Sequence, residues 1–372
     1  VLRTPPTTAA SIAVGNLNAQ IADGERRSRA GGIDADAALV DLYAMRARFV
    51  GRVADLAAAD RTSARLVAVR PDQPGAHLAR ARALSGIHEL GAAQDELETA
   101  LRLGADAEDV AREKAALLLA MGREDEAARA WTARPRLRGG GVDTWDRPGA
   151  RVGDWVMAAG IAARLGAASE SNALFEAARE SYRDVSPFTV AWVDFERARA
   201  LELRGDWSSA KAYLAEAVDV LPCYAHAVVH LAALEPPVAA LRLLGGVDST
   251  SDDPDVLAAE ADALRRAGRR AEASETAARA RTRFEEVVAT LPRAYADHAA
   301  SFYLGMGDDA GRALALARAN AENRATSEAQ ALWLTAAMAA GARGEACAAA
   351  RARVEHPSME LVELREVAGT CR

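Results

Sequence analysis

The stretch FERARALELRGDWSSAKAYLAEAVDVLP, residues 195–222, decides the fold. Ala198 and Leu201 stand three residues apart, and Ala210, Leu214 and Ala217 follow at steps of four and three, the spacing that lines one face of an α-helix. Gly205-Asp206-Trp207 separates the two runs, and a glycine there ends a helix in the left-handed conformation without a Cβ clash. Pro222 stops the second run because proline cannot continue a helix. The segment predicts two helices joined by a tight turn.

The same design recurs toward the N-terminus at a fixed interval. Ala47, Ala81 and Ala115 lie 34 residues apart, as do Val50, Leu84 and Leu118, and Ala59, Ala93 and Ala127. Small residues at these positions let antiparallel helices approach closely, and the larger apolar neighbours fill the remaining contact. A 34-residue period with this pattern resembles the tetratricopeptide repeat (TPR), a helix–turn–helix unit, and Pro222 stands where that family commonly has its terminating proline. The resemblance implies an all-α superhelix, a TPR-like right-handed solenoid of about eight helical hairpins, each burying its face on its neighbours.

The resemblance covers residues 34–356 with uneven spacing. Further second-helix small residues fall at Ser171, Ala210, Ala273, Ala313 and Ala346, and further turns are expected at Gly122, Gly166, Gly268, Gly307 and Gly341. The pattern breaks at Gly139-Gly140-Gly141 and Pro148, which cannot continue a helix, and at Pro236-Pro237. The expected organisation is a leader and capping helix (1–33), an N-terminal array (34–137), a Gly/Pro-rich excursion or hinge (138–152), a C-terminal array (153–356) and a capping helix and tail (357–372). Val1 stands where a Met would begin a chain, which implies that an upstream piece was cut away.

Composition narrows the class. About a quarter of the residues are alanine and only 5% are aromatic, which favours helix and excludes an all-β fold. The net charge is −7, which disfavours nucleic acid and anionic membranes as partners. No apolar run reaches the roughly 20 residues of a membrane span. Lys114 and Lys211 are the only lysines, so arginine is the default cation of this chain.

The three cysteines form no C-x-x-C pair, which removes zinc-ribbon and thioredoxin-type readings. A Cys347–Cys371 disulfide would tie the tail to the last helix and place the chain in an oxidising compartment, periplasmic or secreted; two unrelated thiols in a reducing cytosol are the alternative.

No phosphate-binding loop, zinc-protease or nucleophile-elbow motif is present, so the chain reads as a binding protein and not an enzyme, without a cofactor. The most chemical cluster is Cys223, His226 and His230. On a helix these share one face, and with His298 from a later unit they could bind zinc or copper. They equally fit ordinary buried helix residues, with Cys223 a small hydrophobe after Pro222.

In TPR arrays the first helices line the concave groove, and the residue after each first-helix small residue points into it. That resemblance puts Arg48, Arg82 and Arg199 in the groove, with Arg112 one turn before the matching Ala116. Arginine forks suit carboxylates, so the expected partner is a protein or peptide segment with acidic character. The alternative is that each arginine pairs with a nearby Asp or Glu. The lysines and asparagines of the family's carboxylate clamp have no counterpart here. Trp131, Trp207 and Trp333 read as packing or turn residues; Trp145 and Trp155 flank or occupy the excursion, where a large side chain packs to pin the loop or, in the alternative, meets a ligand. Asn320–Arg324 reads as a helix end that caps its own carbonyls before Thr326 opens the next helix.

Overall fold

The computed structural model describes residues 6–131, 151–247, 249–344, 346, 347, 369 and 371. Among the described residues there are eighteen helices and no strand. Helix α1 (Ala10–Arg29) precedes eight antiparallel hairpins. These pair α2 (Asp34–Val50) with α3 (Ala54–Val69), α4 (Pro74–Gly86) with α5 (Leu90–Arg102), α6 (Ala107–Ala120) with α7 (Glu124–Ala130), and α8 (Val152–Arg164) with α9 (Ala168–Ser181). The series continues with α10 (Pro187–Glu202) and α11 (Trp207–Val220), α12 (Ala225–Leu234) and α13 (Pro237–Gly245), α14 (Pro254–Arg266) and α15 (Arg270–Thr290), and α16 (Ala296–Leu304) and α17 (Ala310–Asn323). Helix α18 (Ser327–Ala339) follows and packs on α17 and α16.

The spacing of small residues sets the packing. Every residue of the expected register, from Ala47, Ala81 and Ala115 to Ser171, Ala210, Ala273, Ala313 and Ala346, is 8% exposed or less. Glycines 122, 166, 205, 268 and 341 end their helices with positive φ, as the turn pattern requires. The turn at Gly307 differs, since there Asp308 takes the left-handed conformation. Gly307 is required for space instead: a Cβ would lie 2.8 Å from both Phe302 and the Tyr303 Cα. Caps start several helices, as where the Asp206 carboxylate accepts the Ser209 N–H at 3.1 Å at the head of α11.

With so few aromatic residues, Arg–carboxylate pairs fasten neighbouring helices. Arg46 meets Asp55 at 2.6 Å between α2 and α3, Arg65 meets Asp36 at 2.6 Å between the same two helices, and Arg179 meets Asp194 at 2.8 Å between α9 and α10. Asp36 is fully buried, so removing the Arg65 guanidinium would strand a charge, at a cost of about 3–5 kcal/mol. Burial lifts the Asp194 pKa to about 7 even beside Arg179, so losing that guanidinium would leave Asp194 protonated.

The stack curls until its later hairpins run along its earlier ones. Phe49 at the end of α2 packs on Phe188 of α10 and on Tyr224 before α12, each at a 5.0 Å ring separation. The Asp252 N–H donates to the Gly51 carbonyl at 3.0 Å, and the Ala325 N–H donates to that of Met121 at 3.0 Å. Between these points Arg293 meets Glu89 at 3.0 Å, and farther on Arg164 of α8 meets Glu328 of α18 at 2.7 Å. Each contact joins the α2–α3, α4–α5 or α6–α7 turn, or the end of α8, to the start of a first helix four to six hairpins later. The superhelix therefore completes a turn in that span and closes along a seam. Its two largest apolar clusters each draw residues from both sides: one holds Leu17–Ala83 and Phe188–Ala263 members, the other Val53–Leu117 and Ala280–Ala336 members.

Gly139–Gly141, Trp145 and Pro148 of the expected excursion lie outside the described residues, as does most of the expected tail. Trp155, read as a pin, is 4% exposed and packs with Phe175 and Val193 in a cluster of its own. Among the described residues, no helix is long and apolar enough to cross a membrane.

Candidate binding groove

First helices line the inside of the curl. A cavity of about 780 Å³ lies between α10 and α12 on one side and α16 and α18 on the other, and a second of about 530 Å³ continues it over α14. The two share Ala233 and Ser301.

The three expected histidines stand on these inner helices. His226 and His230 lie on α12 and His298 on α16, and each takes a carboxylate partner. His230 Nδ1 lies 3.1 Å from Glu202, His226 Nε2 lies 3.4 Å from Asp253, and His298 Nδ1 bonds to Asp255. The His226 and His298 rings stack with centroids 6.3 Å apart. Tyr295 donates its hydroxyl to Asp253 at 3.3 Å, and Arg324 holds Asp297 at 3.1 Å.

This pairing gives the imidazoles expected as metal ligands carboxylate partners, and the expected shared face with Cys223 is not formed. Helix α12 begins at Ala225, so Cys223 lies in the turn after Pro222 and not on the helical face of His226 and His230. The thiol borders the first apolar cluster, where burial raises its pKa. Among the described residues no group of three or more His, Cys, Asp or Glu side chains could hold a metal ion. The imidazoles have become partners of carboxylates on neighbouring helices.

Their protonation differs with surroundings. Burial pushes the His298 imidazole down, but Asp255, Asp297 and Asp253 together outweigh it and lift the pKa to about 10. His298 is therefore a fixed cation at neutral pH. Burial and the nearby Arg199 lower the His230 pKa, with Glu202 only partly opposing them. Burial would raise Glu328, yet Arg164 outweighs it and brings the carboxyl to about 2.

The four expected groove arginines are dispersed and internally engaged. Arg82 on α4 lies 2.7 Å from Glu113 of α6 and 3.5 Å from Asp41 of α2. Arg112 on α6 meets Asp154 of α8 at 2.6 Å and Asp109 of its own helix. Arg199 bonds to Glu202. Arg48 lies over the Trp192 ring, its guanidinium carbon 5.8 Å from the ring centre. Of the four only Arg199 lines the large cavity.

The groove also uses residues that the sequence did not single out. Trp207, read as a turn residue, is 47% exposed and stands at the cavity. Its place directly after the turn, outside the second-helix spacing of Ala210, Leu214 and Ala217, was the available signal. Asn320 is 2% exposed, lines the same cavity, and has no hydrogen-bond partner for its Oδ1 among the described residues. Asn323 does not cap its own helix; its amide crosses the seam to the carbonyl of His88 at 3.0 Å. Thr326 does open α18, its hydroxyl accepting the Ala329 N–H at 3.2 Å.

All-helical hairpins, the second helix of each packed on the first helix of the next, make this chain an α-solenoid. No family model matches the sequence, and no curated protein matches it. Among solved structures, it is similar to the APC/C hetero-tetramer Cut9–Hcn1 at 12% identity and a TM-score of 0.47, covering 84% of this chain and 58% of that one. The human IFIT1 dimer with PPP-AAAA is similar at 13% identity and a TM-score of 0.48, over 85% of this chain and 71% of that one. The TPR domain of P58(IPK) matches at 15% identity and a TM-score of 0.26, over 96% of this chain and 97% of that one. The chain thus spans 58% of the length of the matched Cut9–Hcn1 chain.

Proposed function

We propose that this protein is a non-enzymatic binding protein that holds a segment of another polypeptide against the inner face of its C-terminal hairpins. The observation that carries this reading is the continuous groove formed by the two adjoining cavities over α10, α12, α14, α16 and α18. Its walls mix exposed apolar surface with polar groups, as ligand sites do. The N-terminal first helices support the role less, because their arginines already neutralise carboxylates next door.

A photo-crosslinking residue placed at Thr335, on the inner wall, tests the reading against one at Glu275, on the exposed side of α15. The expected result is a discrete protein adduct at position 335 and none at 275, with the captured protein then binding in purified form. Equal capture at both positions would remove the groove as the site.

A further inference from the structure

We infer that the larger cavity takes an uncharged stretch of polypeptide, recognised through its peptide groups by Asn320 and through an apolar side chain by Trp207. This rests on the reading above that a polypeptide is held here, and adds the chemistry of the segment.

Charge is the first argument. The charged side chains at the cavity are already matched: Arg199 bonds to Glu202, Arg324 meets Asp297 at 3.1 Å, and Glu328 meets Arg164 at 2.7 Å. An acidic or basic ligand would have to displace one member of a pair, losing its own hydration without a free counter-charge to meet. An uncharged segment meets no such barrier.

Asn320 is the second. Its side chain is buried at the cavity wall, and its Oδ1 has no donor among the described residues and is closed to solvent, so a ligand meets it once the side chain turns toward the cavity. A buried acceptor without a partner destabilises a free protein, and native structures rarely keep one without a use. A carboxamide carries an acceptor beside a donor, and a peptide unit offers the complementary pair, N–H and C=O. Trp207 is the third: a large ring left about half exposed at the cavity, in a chain with few aromatics, supplies apolar contact area.

The test uses the full chain and two labelled pools of ten-residue synthetic peptides, one built from Leu, Val, Ala, Ser and Gln, the other with Asp or Glu at alternate positions. Fluorescence anisotropy at about 0.05 M and 0.5 M salt brackets weak and strong screening. The neutral pool should bind with an affinity that salt changes less than about twofold, and the acidic pool about tenfold more weakly. Asn320→Leu should weaken the neutral pool about tenfold while the thermal midpoint of the free protein holds or rises, because a buried unpaired acceptor is gone. Trp207→Ala, at an exposed position that leaves the core intact, should weaken the same pool. Tighter binding of the acidic pool with a steep loss in salt would overturn the inference and leave the polypeptide reading standing. Wild-type affinity in both variants would also overturn it. If neither pool binds, the polypeptide reading fails and takes this inference with it.

Discussion

Asn323 donates its side-chain amide to the backbone carbonyl of His88, 3.0 Å away in space and 235 positions away in sequence. The contact is one stitch of the seam along which the superhelix closes. Arg324 beside it reaches both His88 and Asp297, tying the seam to the groove wall. Closure and groove are therefore not independent.

Gly122 measures what the seam contributes. Its φ is +75°, and a Cβ would lie 2.5 Å from the Ala325 backbone carbon across the seam. Gly166 has nearly the same φ, +76°, with nothing within 4 Å of that position. Gly166→Ala should cost about 1–2 kcal/mol from the left-handed backbone alone. Gly122→Ala should cost clearly more and raise hydrogen exchange at Met121 and Ala325 together. Equal losses in chemical denaturation would show that the seam bears no load.

His88 makes the fold acid-sensitive. Burial and then Arg324 depress its pKa from 6.5 to about 4, so the folded state keeps it neutral where the unfolded chain would bind a proton. Its contribution is complete above pH 6.5 and is lost as pH falls toward 4. His88→Asn, which suits the positive φ of 58° at this position, should flatten that part of the stability–pH curve. An unchanged slope between pH 6.5 and 4 in thermal melts would contradict this. His230, also depressed, would leave a residual slope in the variant.

His298 acts in the opposite direction. With a folded pKa of about 10 against 6.5, it binds its proton more tightly when folded, so its contribution is full below pH 6.5 and is lost as pH rises through 10. The side chain is 35% exposed, and solvent screening reduces the size of the effect. His298→Leu should leave Asp255, Asp253 and Asp297 mutually repelling, and the melting midpoint should then fall more near pH 6 than above pH 10. A midpoint that matches wild type at pH 7 and differs only above pH 10 would refute this assignment.

Cys347 and Cys371 are joined by a disulfide that spans a sequence separation of 24, leaving Cys223 as the free thiol. Thiol labelling of the unfolded, unreduced protein should report one reactive group, and three after reduction. Closing a loop of this length is worth about 3 kcal/mol in the chain-entropy account. Three reactive groups before reduction would exclude the bridge.

The sequence shows the hairpins clearly and the groove only in part. Ala47, Ala81 and Ala115 are legible because helix crossing is a local, periodic demand, and each is buried as that demand requires. The seam has no such signal. Gly51 resembles any other helix-ending glycine, and nothing near it in sequence points to Ser251, whose hydroxyl bonds to its carbonyl at 3.0 Å. The sequence places His226, His230 and His298 on helices but does not show their partners, since Asp253, Asp255 and Glu202 reach them from elements distant in sequence. The arginine register picks out first-helix positions, yet periodicity cannot reveal that Asp41 and Glu113 flank Arg82. Asn320 was read only as part of a helix end.

The seam also bears on when this chain can finish folding. An open solenoid assembles from short-range contacts and can grow hairpin by hairpin as it leaves the ribosome. Here the carbonyl of Met121 waits for Ala325, about 200 residues later, a delay on the order of 10–40 s at ordinary rates of synthesis. Pairings so distant in sequence also slow the search for the native state compared with a purely local helical array. Through that interval the first hairpins carry an uncovered edge, and a nascent chain of this kind is exposed to pairing with the wrong neighbour until α18 arrives.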